Sequence, residues 1–172
     1  MSQRVQISLY QKFEKLNEIL TTLEKGDENL EYKSKFKEFM SRIMELYTDI
    51  KTEPGIESDV EFQCYLSESA AKLVFISREI EIFIADLERM LLFTFYDDEW
   101  LVVCYKRSCI EVLKEIYKNT CFEESFHYYE VEYLEELDQI IKSKNEIECY
   151  IPTQDQIPVG IPPSHWWWYF NY

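Results

Sequence analysis

Glycine and proline are scarce in this chain, with three and five copies among 172 residues. Phosphate cradles and dinucleotide folds rest on glycine-rich turns between strand and helix, so three scattered glycines argue against a nucleotide enzyme. Histidine is scarcer still, at two copies, His127 and His165. Glu124-Ser125-Phe126-His127 has the Glu-x-x-His spacing of helical di-iron sites, but such a site needs a second copy on another helix. His165 lies in a proline-flanked aromatic tail, and neither histidine has an arginine four to six residues upstream, as helical ribonucleases require. Paired acids such as Asp97-Asp98 and Glu135-Glu136 are neighbours along a helix and point to different faces, unlike a glycosidase pair. These absences predict a protein that is not an enzyme and carries no metal or cofactor.

Cysteine is present but unpaired in pattern. Cys64, Cys104, Cys109, Cys121 and Cys149 make an odd count without a C-x-x-C, which fits reduced thiols in the cytoplasm better than a disulfide framework or a zinc site. The opening Met1-Ser2-Gln3-Arg4-Val5 lacks the apolar stretch of a signal peptide. No apolar run approaches the roughly 18 residues that span a bilayer. Positive charge is short as well: 18 Lys and Arg face 33 Asp and Glu, a formal net charge of -15. That field repels nucleic acid and anionic lipid and attracts basic proteins.

What is abundant is helical periodicity. Leu9, Phe13, Leu16, Leu20 and Leu23 alternate steps of four and three, one stripe of a helix that Gly26 should cap. Tyr32, Phe36, Phe39, Ile43, Leu46 and Ile50 repeat the pattern until Pro54-Gly55 ends it, because proline lacks a backbone donor. Ser58-Asp59-Val60-Glu61 reads as a capping box in which Ser58 and Glu61 satisfy free amides. No glycine or proline then occurs until Pro152.

Phe62, Leu66, Ser69, Leu73, Ile76, Ile80, Phe83, Leu87 and Met90 predict one long central helix of roughly 50 Å at 1.5 Å per residue. Val74, Phe75, Ile82, Ile84 and Leu91 widen its apolar face, so it should be covered on more than one side. A fourth helix follows, with Asp97-Asp98-Glu99 in its first turn, where the dipole favours acids. Val103, Ile110, Leu113 and Tyr117 mark its buried side. A fifth should run from about Glu123 to Lys144, with Phe126, Tyr133, Leu137, Ile140 and Ile141 inward. The expected fold is therefore an all-α, antiparallel bundle of about five helices over residues 1–145. Residues 146–172 follow as a proline- and aromatic-rich tail, extended or turn-like.

Two surfaces stand out as candidates for function. Between Cys121 and Asp138 lie Glu123, Glu124, Glu130, Glu132, Glu135, Glu136 and Asp138, with no lysine or arginine among them. Like charges three or four apart cost a few tenths of a kcal/mol each, so a partner that benefits from the cluster is implied. His127, Tyr128, Tyr129 and Tyr133 lie among these acids, and tyrosine is a rigid anchor favoured at interface centres. The second surface is the terminus, where Trp166, Trp167, Trp168, Tyr169, Phe170 and Tyr172 would make an untenable exposed patch. The tail should cross the bundle and seal the ends of its helices, with Trp167 and Tyr169, on the opposite side of an extended segment, left for a partner.

The combination predicts an acidic protein-binding module. Its leading reading is an inhibitor or immunity-type protein that neutralises a basic partner such as a nuclease toxin. The predicted contact residues are Glu123, Glu124, Tyr128, Glu130, Glu132, Glu135, Glu136, Trp167 and Tyr169. The alternative is an assembly factor or structural subunit that docks through its aromatic tail. Identity of the partner and oligomeric state are not encoded in any motif.

Overall fold

A computed structural model describes residues 2–26, 30–93, 97–148 and 152–169, and these residues are all-α. Helices α1 (Ser2–Glu24) and α2 (Leu30–Thr52) are followed by a short 3-10 turn (Ile56–Ser58), then α3 (Val60–Phe75), α4 (Ser77–Phe93) and α5 (Asp97–Ile116). Next, α6 (Phe122–Tyr129), a π segment (Glu130–Leu134) and α7 (Glu135–Glu148) run without a break. The predicted side chains of Tyr32, Asp97 and Asp98 lie outside the described residues, as do residues 149–151 and 170–172.

The stripes read from sequence are the core. Leu9, Phe13, Leu16, Leu20 and Leu23 of α1 are buried against Phe36, Phe39, Ile43, Leu46 and Ile50 of α2 in one cluster that reaches α3, α4 and α5. Gly26 stands at φ 62° with its amide on the carbonyl of Leu23, closing α1 in the left-handed cap that glycine adopts without steric cost. Cross-helix contacts set the directions. Phe13 meets Phe62 edge-on, and Lys72 bonds Thr21, so α1 and α3 run parallel. Arg107 bonds Asp138 while Lys114 pairs with Glu130, so α5 and the α6–α7 rod run antiparallel.

The structure corrects four local expectations. The first concerns the cap of α3, where Asp59 and not Ser58 is the N-cap, its carboxylate accepting the amide of Phe62 at 3.0 Å and the hydroxyl of Tyr10 at 2.7 Å. These two donors hold Asp59 below its ordinary pKa. The second concerns the long central helix, which is interrupted at Ile76, where the backbone turns to φ -93°, ψ 25°. Val74-Phe75-Ile76 is a run of branched and aromatic residues with weak helix propensity, and the hydroxyl of Tyr129 donates to the carbonyl of Ser77 at the break. The periodicity hid this, because Leu73, Ile76 and Ile80 stay buried across it.

Coverage of that region is the third. Ile84 and Leu91 are buried, but Val74, Phe75 and Ile82 remain exposed. The fourth lies in the last rod, where the amide of Glu135 bonds the carbonyl of Glu130, five residues back. That bond inserts one residue into the turn. The buried series Phe122, Phe126, Tyr129 therefore resumes at Leu134, Leu137 and Ile141, and Tyr133, expected inward, is turned out to the surface.

Candidate functional site

Arg107 and Ser108 sit mid-helix on α5 and both are buried, Arg107 in the register where the stripe Val103, Ile110, Leu113 calls for an apolar residue. Each polar group must then be satisfied inside the protein. Arg107 donates Nε and Nη2 to the two carboxylate oxygens of Asp138, at 2.8 and 3.1 Å, and Nη1 to Glu111 at 3.0 Å. Burial alone would lower the pKa of this guanidinium, but the bonds and charges of Asp138 and Glu111 together hold it above its ordinary value.

The C-terminal residues satisfy Ser108. Residues 152–169 form a succession of tight turns, with carbonyls of Thr153, Pro158, Pro162, His165 and Trp166 each accepting the amide three residues on. The last pair encloses a 3-10 turn, Trp166–Trp168. It sets the indole Nε1 of Trp167 at 3.0 Å and that of Trp168 at 2.8 Å from the Ser108 hydroxyl, and Nδ1 of His165 at 3.0 Å. His165 stacks on Trp167 at 5.0 Å between ring centroids, and the Arg107 guanidinium lies 4.3 Å from the Trp167 centroid on a cation–π contact. The thiol of Cys104 donates to the Trp167 carbonyl at 3.3 Å.

Further contacts spread the segment over three helices. Gly160, at φ 87°, passes so close to α2 that a Cβ there would stand 3.0 Å from Oγ1 of Thr48. Trp166 lies under the Lys142 ammonium of α7 at 5.0 Å. The hydroxyl of Tyr169 donates to the carbonyl of Ile161 at 2.8 Å, tying the segment to itself. The indoles thus cover the middle of α5 rather than helix ends. Trp167 is 1% exposed and not open to a partner in this arrangement, because successive residues of a 3-10 turn fan around its axis instead of alternating as in an extended chain. Tyr169 is half-buried.

The acidic rod divides by direction. Glu130 pairs with Lys114, and Asp138 with Arg107, so two of the seven acids find counterions on α5 that the local sequence does not supply. Burial would lower the pKa of Lys114, but its bond to Glu130 and the charge of Glu111 raise it. Glu123 accepts the amide of Asn119 at 2.9 Å, in the turn before α6. Glu124, Glu132, Glu135 and Glu136 are exposed and make no ion pair among the described residues. Tyr128 is 51% exposed and meets Tyr133 edge-on at 6.1 Å, with Val131 exposed nearby in sequence.

Two clefts flank the Lys114–Glu130 pair. One, of about 390 Å³, is walled by Glu111, Glu135, Asp138, Ser164 and Trp166. The other, of about 550 Å³, has an apolar floor of Tyr117, Phe122 and Phe126 beneath Glu123 and Glu124. Among the described residues, no three His, Cys, Asp or Glu side chains gather as metal ligands would. His127 is exposed and approaches Glu130 at 3.8 Å. No described helix is long and apolar enough to cross a membrane.

The acids and Tyr128 were legible in the local sequence; the joint role of Arg107, Ser108 and His165 was not. Their one sequence signal is a charged residue at position 107 in the core register of α5. Neither a protein-family model, nor a curated protein, nor a solved structure matches this chain.

Proposed function

We propose that this protein is a non-catalytic binding module of the inhibitor or immunity type, which neutralises a basic partner such as a nuclease toxin. The observation that carries this reading is the set of exposed carboxylates, Glu124, Glu132, Glu135 and Glu136, which make no ion pair among the described residues while Arg107 and Lys114 are consumed by other acids. Unpaired like charges on one rod cost stability, and a cationic surface brought against them recovers that cost. Complementary fields of this kind raise association rates by one to three orders of magnitude at low salt. Tyr128 and Tyr133 supply half-exposed aromatic rings beside the charges, the type of group that carries binding energy at interface centres.

The partner's phosphate-binding surface is the natural counterpart, because a nuclease holds its polyanionic substrate with lysines and arginines. Docking through the aromatic tail has less surface to work with, since Trp167 and Trp168 are buried. The test is affinity capture from the native host at low and high salt, followed by assay of the captured protein's nuclease activity with and without added protein. Wild type should capture a basic protein, release it with salt and inhibit it. The variant Glu124→Lys, Glu132→Lys, Glu135→Lys, Glu136→Lys should do none of these. Glu130 is left in place, because its bond to Lys114 belongs to the fold. Capture that neither salt nor the reversal disturbs would overturn the reading and favour the aromatic tail.

A further inference from the structure

A serine hydroxyl has one hydrogen to give and two lone pairs to receive. At Ser108 both lone pairs are engaged by the indole N–H groups of Trp167 and Trp168, since an indole nitrogen can only donate. The remaining neighbour at hydrogen-bond distance, Nδ1 of His165, can therefore only accept the hydroxyl's own hydrogen. This count requires a neutral imidazole with its proton on Nε2. A second proton, on Nδ1, would set an N–H against an oxygen with no lone pair left, and one of the two buried indoles would lose its acceptor.

The charges around His165 do not offset that conflict. Arg107 of α5, itself held by Glu111 and by Asp138 of α7, lies across the Trp167 ring on which His165 stacks. Glu115 of α5 approaches Nε2 at 3.9 Å, too far for a hydrogen bond. Its carboxylate already accepts the Tyr47 hydroxyl of α2 at 2.6 Å and faces Lys51 at 3.9 Å.

We propose that Ser108 and His165 form a proton-sensitive latch: the C-terminal segment docks on α5 tightly while His165 is neutral, and protonation of its Nδ1 weakens that docking and favours release. Release uncovers Trp167 and Trp168 and removes the wall that Ser164, Trp166 and Trp167 give to the 390 Å³ cleft. Burial, with Arg107 adding to it, lowers the His165 pKa from 6.5 to about 4. A released segment takes up the proton below pH 6.5 while the docked one does not. The equilibrium then moves toward release by up to tenfold per pH unit and levels off below about pH 4, where the docked form takes up the proton as well, a shift of roughly 300-fold in all.

The experiment follows hydrogen exchange across residues 152–169 and tryptophan emission on the full chain from pH 8 to 3.5. It compares wild type with His165→Asn, whose amide oxygen accepts the Ser108 hydrogen and does not titrate. Wild type should lose exchange protection and shift its emission to the red in a one-proton step between pH 6.5 and 4, while far-UV circular dichroism holds. His165→Asn should lack that step. The same step in His165→Asn, or a wild-type segment protected down to pH 4, would overturn the latch. Should the Asn variant be undocked at pH 8, imidazole nitrogen NMR of wild type at pH 7 decides. An unprotonated Nδ1 supports the latch, and a protonated Nδ1 overturns it.

Discussion

The contact between α1 and α3 and the contact between α5 and the C-terminal segment are built on opposite principles. In the first, Phe13 meets Phe62 and Tyr65 within a cluster of Leu, Ile and Phe. Its stability is close to a sum of buried apolar area, and any side chain of similar volume serves nearly as well. In the second, a buried hydroxyl, an imidazole, two indole N–H groups and a guanidinium must all find partners at once. Apolar packing is tolerant and graded, whereas a buried polar network is directional and fails as a unit.

The sharpest way to break that comparison uses one truncation in each region. Phe13→Ala should cost about 3–5 kcal/mol through the cavity it leaves. Arg107→Ala should cost a similar amount for a different reason, because Asp138 loses its counterion. Denaturant melts separate the two causes. Adding Asp138→Leu to Arg107→Met should recover most of the Arg107 loss, while no second substitution of a charged residue rescues Phe13→Ala. Failure of that recovery would place the loss at the other partners of Arg107, the Glu111 carboxylate and the Trp167 ring.

Ser108→Ala is the next largest. It removes one oxygen and leaves two indole N–H groups and Nδ1 of His165 without a partner, a loss of about 1–3 kcal/mol in all because undocking of the segment returns these groups to water. Loss of exchange protection should be confined to residues 152–169, with α1–α3 unaffected. Gly160→Ala tests the same docking from its far end. A side chain at φ 87° facing Thr48 at 3.0 Å should cost about 1–3 kcal/mol, and Thr48→Ala in the same chain should return part of it.

Smallest in stability is neutralisation of the outward acids. Glu124→Gln, Glu132→Gln and Glu136→Gln together should change the melting free energy by about 0.5 kcal/mol or less, with the sign toward greater stability, while association with a basic partner slows at low salt. A large destabilisation would show that these carboxylates serve the fold and not recognition.

Much of the helical architecture was legible because it depends on local rules. Stripes at steps of three and four put Leu9 to Leu23, Phe36 to Ile50 and Phe62 to Leu87 in the core, and Gly26 ends α1 as its lack of a Cβ dictates. The interruption at Ile76 and the extra residue in the π segment were not legible. Neither removes an apolar residue from the series; each changes only the backbone path between buried positions. Tyr133 shows the consequence, sequence-eligible for the core and placed outside it.

The candidate surfaces divide in the same way. Composition determined that this chain is acidic and poor in histidine, glycine and proline, periodicity that it is helical, and the order of residues marked 121–138 and the aromatic end as unusual. Only the tertiary structure decided which of those acids are consumed by Arg107 and Lys114, which make no ion pair among the described residues, and that Trp167 and Trp168 turn inward onto Ser108. The physical reason is range. Periodicity, capping and net charge are settled within a few residues or summed over the chain, whereas a hydrogen bond between residues 108 and 165 exists only once the bundle has brought α5 and the C-terminal turns together.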